Sequence, residues 1–127
     1  ENAYRLIRTI SPSKKFTLRS MYVGYPNGDL LDVMALNASP QLLKRFHAPP
    51  ATRWMVARVL QRGSGRIWHY DFFSQSLRWL GSWHEPTRFD ARTRPWYILA
   101  CEKHQAVRSP PYLFANLAQK GITYSQE

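Results

Sequence analysis

The chain has 127 residues, with 18 Lys+Arg against 8 Asp+Glu and a formal net charge of +10. That length suits one domain. Hydrophobic residues at 44 % and aromatics at 14 % exclude a disordered chain, and no apolar run approaches the roughly 20 residues of a membrane helix. One cysteine, Cys101, excludes an intrachain disulfide and a Cys-based zinc site. Glu1 to Ile10 lack the apolar core and the small-residue cleavage pattern of a signal peptide, so any export signal is expected outside these residues.

Ala3, Leu6, Ile7 and Ile10 recur at helical spacing and Ser11-Pro12-Ser13 breaks the pattern, which predicts a short N-terminal helix over Asn2 to Ile10. Residues 1–15 are read as this helix, the end of a longer membrane-connecting one, and residues 16–127 as the domain proper. Leu18 to Tyr25 and Asp29 to Leu36 are strand-like and flank Asn27-Gly28, a pair suited to positive φ in a tight turn, so a hairpin is expected. Ser39-Pro40 ahead of Leu42, Leu43 and Phe46 predicts one or two helical turns that Pro49-Pro50 ends. A second pair of strands, Trp54 to Gln61 and Arg66 to Ser74, is joined through Gly63-Ser64-Gly65. Leu77 to Trp83 extends the sheet, and Pro86 to Arg94 reads as loop. Pro95 then opens a helix over Trp96 to Lys103. Val107, Tyr112 to Leu117 and Ile122 to Ser125 are the remaining strand candidates. This order predicts an α+β domain on an antiparallel sheet of about five strands with flanking helices.

Catalytic templates are nearly absent. His47, His69, His84 and His104 have no i,i+4 partner and no acid at metal-ligand spacing, and no phosphate-binding glycine loop occurs. A lone Cys101 in an apolar helix reads as packing rather than as a nucleophile. No enzymatic activity, cofactor or metal is expected of these residues. The excess of positive charge admits an alternative, a basic nucleic-acid-binding domain, since Lys and Arg displace counterions from phosphates. Apart from Lys14-Lys15 and Lys44-Arg45, however, the basic residues are scattered singly, which favours a solvated surface and no nucleic-acid partner.

The densest motif is Asp90-Ala91-Arg92-Thr93-Arg94-Pro95-Trp96-Tyr97, followed by Pro111-Tyr112 and by Gly121 to Ser125. Arg94 offers a planar fork for a carboxylate, and Trp96 and Tyr97 offer flat apolar walls with one donor each, the mix of a small-ligand pocket. Packing between helix and sheet is the competing use of Trp96 and Tyr97, and a structural bridge to Asp90 or Asp71 that of Arg94. Loop structure is the favoured reading of Arg92. The pattern resembles that of Cache domains, PAS-like extracytoplasmic sensors of bacterial receptors, and Tyr22-Val23-Gly24-Tyr25 with Asn27-Gly28 is similar to the opening hairpin of that module. The resemblance spans about Leu18 to Ser125.

What the resemblance implies is a PAS-like module of the double-Cache type at the extracytoplasmic or periplasmic face of the inner membrane, ending before its last strand. The full-length receptor would be anchored by segments outside this chain and act as a homodimer. Its partner would be a small-molecule ligand, an amino acid or small carboxylate, held by Arg94, Trp96, Tyr97, Phe89, Tyr112 and Asp71. Kinase, chemotaxis transducer, cyclase and cyclic-dinucleotide enzyme all stay open as output. Two positions depart from the amino-acid-sensing pattern. Phe89 stands five residues before Arg94 where an aromatic hydroxyl is expected, and after Glu102 the chain has no acid but Glu127 to hold a ligand ammonium from a late strand.

Overall fold

The computed structural model describes residues 20–36, 39–114, 120, 121 and 123–127. The predicted helix over Asn2 to Ile10 lies outside the described residues. Five strands form an antiparallel meander in which sequence neighbours are also sheet neighbours: β1 (Ser20–Gly24), β2 (Leu30–Ala35), β3 (Trp54–Arg62), β4 (Gly65–Phe73) and β5 (Trp79–Thr87). Between β2 and β3 lies the short helix α1 (Pro40–Arg45). After β5 come a 3₁₀ turn (Ala91–Thr93) and the helix α2 (Pro95–Lys103). Two small ladders finish the chain, β6 (Val107–Arg108) with β9 (Tyr124–Ser125) and β7 (Tyr112–Leu113) with β8 (Lys120–Gly121). This is a mixed α+β fold dominated by one antiparallel sheet. Among the described residues no helix is long and apolar enough to cross a membrane.

Alternation along the strands assigns the two faces. One face carries Leu30, Asp32 and Met34 from β2, Met55, Ala57 and Val59 from β3, and Trp68, Tyr70 and Phe72 from β4, all buried. Leu42 and Phe46 from around α1, and Ala91 and Trp96 from the segment leading into α2, join this cluster, so both helices cover the same face. Register makes the rows explicit: Tyr22 lies opposite Asp32, Asp32 opposite Ala57, Ala57 opposite Tyr70, and Tyr70 opposite Trp83. On the other face a smaller cluster forms around Val33, Ala35 and Val56.

Local chemistry sets the joints. In the first hairpin the Gly28 amide donates to the Tyr25 carbonyl at 2.9 Å, and Gly28 takes the positive φ of 91° that favours glycine. Arg66 on β4 braces this turn through Asp29 Oδ1 at 3.1 Å and the Asn27 carbonyl at 2.6 Å. The Ala91 amide then donates to the Gly28 carbonyl at 3.1 Å, which ties the approach to α2 onto the hairpin. Ser39 caps α1 by accepting from the Leu42 amide, with Pro40 in the first turn.

β5 differs from its predicted span. It begins at Trp79 rather than Leu77 and runs through His84-Glu85-Pro86 to Thr87, a stretch that reads as loop in sequence. As the last strand of the meander it tolerates Pro86, whose missing N–H removes no essential ladder bond at an edge. At the other side of the sheet, a Cβ on Gly24 would lie 2.6 Å from Trp96 Cη2, 3.0 Å from Tyr97 Cδ2 and 3.1 Å from Ala91 Cβ. Gly24→Ala is therefore expected to push α2 off the sheet and cost about 1–3 kcal/mol, the usual range for overpacking. Urea unfolding checks this, and a variant as stable as wild type would contradict the close approach.

Candidate functional site

Where the start of α2 crosses β1 and β2, the packing leaves a cavity of about 50 Å³, room for roughly four water-sized groups. Its floor is the sheet face, with Tyr22, Leu30, Asp32, Met34 and Trp68. Arg94 and Trp96 enter from the start of α2, Phe89 from the preceding loop, and Tyr112 and Phe114 from around β7. The aromatic rings pack on one another as well as on the cavity. Trp96 stands edge-on to Tyr22 at 4.8 Å, and Trp68 packs on Phe89 at 5.1 Å. Pro95 fixes the first turn of α2, and the helical period then buries Trp96 and Ala100 one turn apart.

The polar groups are unevenly paired. Tyr22 and Tyr112 converge on the Thr123 hydroxyl at 2.5 and 2.6 Å, and burial drives the Tyr22 phenol far above its ordinary pKa, so it stays protonated. Thr123 is itself locked: its amide donates to Ser109 Oγ at 2.9 Å and its carbonyl accepts from the Ser109 amide at 2.8 Å. Ser125 donates to the Trp96 carbonyl at 2.9 Å. These C-terminal residues hold one wall of the cavity against the start of α2. Arg94 donates through Nη2 to the Leu113 carbonyl at 2.9 Å, and its guanidinium carbon lies 5.5 Å from the Tyr112 ring centroid and 5.9 Å from that of Phe89. Among the described residues no carboxylate pairs with it.

Asp32 is the anomaly. It sits in the middle of the apolar face at 6 % exposure, and its Oδ1 has no hydrogen-bond partner among the described residues. Burial raises its pKa to about 7, opposed by a hydrogen bond from Ser20. A buried carboxylate without a cation is costly. Such a group at a cavity is a candidate for function rather than for stability. No three His, Cys, Asp or Glu side chains among the described residues gather as a metal site.

Over 108 residues the chain is 29 % identical to Adenylate cyclase 1 of Rhizobium meliloti (strain 1021). The match covers 84 % of this chain. It spans only 16 % of that protein's length. No protein-family model and no solved structure matches the chain.

Of the residues singled out by sequence, Arg94, Trp96, Phe89 and Tyr112 meet at the cavity. Tyr97 packs beside it, edge-on to Trp96 at 5.8 Å and close to Gly24. Asp71 lies elsewhere. Register puts it opposite Val56 on the other face, where it accepts from Arg58 at 3.1 Å and from Trp79 Nε1 at 3.0 Å and faces His69 Nε2 at 3.3 Å. Asp90 is not the partner of Arg94 either. Arg92 grips it bidentately at 2.9 and 2.6 Å and holds its carboxyl down at about 2, which gives Arg92 the loop role expected of it. The residues that sequence reasoning missed are Tyr22, Thr123 and Asp32. An isolated acid between Leu31 and Val33 on a strand buried on both faces was the available signal.

Proposed function

We propose that this chain is the PAS-like, Cache-type input module of a bacterial signal-transduction receptor, binding a small metabolite such as an amino acid or small carboxylate on the extracytoplasmic side of the inner membrane. The observation that carries the proposal is the cavity itself, walled by aromatic rings and holding a cationic and an anionic side chain, Arg94 and Asp32, that do not pair with each other. Likeness to part of a protein named adenylate cyclase supports a signalling context, with cyclase activity in the output of the full-length protein. The module binds and does no chemistry. A ligand that fits the cavity better in one conformation than in another shifts the balance by that difference in affinity. The segment Asn2 to Ile10, predicted helical from its sequence, is the conduit toward the membrane.

Thermal unfolding in the presence of glycine, alanine and propionate tests the proposal. A compound at about 100 times its Kd is expected to add roughly 2.7 kcal/mol of stability. Arg94→Ala is expected to abolish the shift with propionate while leaving the unliganded protein within about 1 kcal/mol of wild type, because Arg94 is only half-buried and its guanidinium bonds a backbone carbonyl, that of Leu113, rather than a carboxylate. Arg94→Lys keeps the charge, loses the fork and falls between the two. A variant that melts early yet keeps its full shift would assign Arg94 to the scaffold.

A further inference from the structure

We infer that Asp32 is the specificity-determining group of the cavity and that it holds a cationic nitrogen, so that the ligands it selects are small primary ammonium compounds. The inference rests on the reading of the cavity as a ligand site and names what that site takes. Three independent observations carry it. Oδ1 of Asp32 has no hydrogen-bond partner among the described residues although it is buried, so it lacks the donor that a buried carboxylate requires. The residue lines the cavity, which makes a ligand able to supply that donor. The surrounding walls are the aromatic rings of Tyr22, Trp68, Trp96 and Tyr112, and the π face of such a ring attracts a cation. A carboxylate entering alone reaches Arg94 but leaves Asp32 Oδ1 without a donor. An ammonium group meets an unsatisfied acceptor.

The same geometry couples binding to a proton. The groups facing Asp32 are the Ser20 hydroxyl and Tyr22 from β1, Tyr70 from β4 and, across the cavity, Arg94. Both tyrosines are held protonated by burial, so neither changes charge near neutrality. In the empty cavity Asp32 is about half protonated at pH 7. An aliphatic ammonium, of pKa about 10, keeps its charge throughout this range. It binds the ionised carboxylate and displaces the remaining proton, so affinity rises as pH rises and levels off above about pH 7.

Calorimetric titration with ethylammonium, alanine and propionate on wild type, Asp32→Asn and Asp71→Asn tests this. Ethylammonium and alanine are expected to bind wild type, to bind Asp32→Asn at least tenfold more weakly, and to bind Asp71→Asn as wild type, since that acid lies on the opposite face. Wild-type affinity for ethylammonium is expected to fall about fivefold from pH 7 to pH 6 and about tenfold for each unit below that, a reading that needs no variant. Propionate binding that survives or strengthens in Asp32→Asn agrees with the assignment. If propionate binds wild type while ethylammonium and alanine do not, or if their binding survives Asp32→Asn or is flat with pH, the ligand-site reading stands and the role of Asp32 is overturned. If none of the three binds, both fall.

Discussion

At pH 8, Asp32→Asn is expected to be more stable than wild type by about 4 kcal/mol, and the advantage is expected to shrink to a small fraction of that by about pH 4. The cause is the cost of ionising Asp32 inside the apolar face. Its pKa rises from 3.8 in the unfolded chain to about 7 in the fold, and one unit is worth about 1.4 kcal/mol. A group whose folded pKa is raised supports the native state fully below the unfolded value, and that support is lost as pH climbs through the folded value. Wild type therefore loses stability between about pH 4 and pH 7 on account of this one residue. Asparagine has nearly the shape of the neutral acid, which is the form the buried site favours, and removes the titration. Urea unfolding of both proteins at several pH values reads the difference directly. Parallel curves, or a less stable variant at pH 8, would show that Asp32 is satisfied in the fold. A residue retained at such a cost fits a role in binding, where stability and function commonly oppose each other.

Trp96→Ala is the second large effect, an expected loss of about 3–5 kcal/mol. Trp96 is 8 % exposed, stands edge-on to Tyr22 and presses its ring tip against the backbone of Gly24. Removing it opens the cavity and strips α2 of its main contact with β1. Ile98, two residues along the same helix, is 42 % exposed, and Ile98→Ala is expected to stay within about 0.5 kcal/mol of wild type. Denaturant melts of the pair separate a helix held by one buried ring from one held along its length. Equal losses at both positions would contradict the packing described.

Much of the scaffold was legible. Asn27-Gly28 between alternating strands, Gly63-Ser64-Gly65 between two more, and Pro95 ahead of Trp96 each state a local preference that the fold obeys. β5 was misread at both ends because its exposed positions, Ser82, His84 and Pro86, are those of an edge strand and mimic a loop. The site was legible only where its residues crowd together in sequence. Phe89, Arg94 and Trp96 form one motif, whereas Tyr22 meets Thr123 across 101 positions, and no local pattern announces such a contact. Asp32 shows the same limit. Both faces of β2 are covered, so its alternation carries no mark of which side a polar residue takes. The resemblance to a known pattern directed attention to an acid on a late strand, whereas the structure places one on the second strand.

The cavity above β1 and β2 is expected to take a small ammonium compound. Backbone and indole NMR of the isotopically labelled protein, titrated with ethylammonium chloride at pH 8, tests it most directly. Saturable shifts are expected to centre on Tyr22, Asp32, Trp68, Trp96 and Tyr112, with the Trp79 indole and the amides of His69 and Asp71 on the opposite face moving little. Shifts that never saturate, or that centre on Asp71 and Trp79 instead, would contradict it.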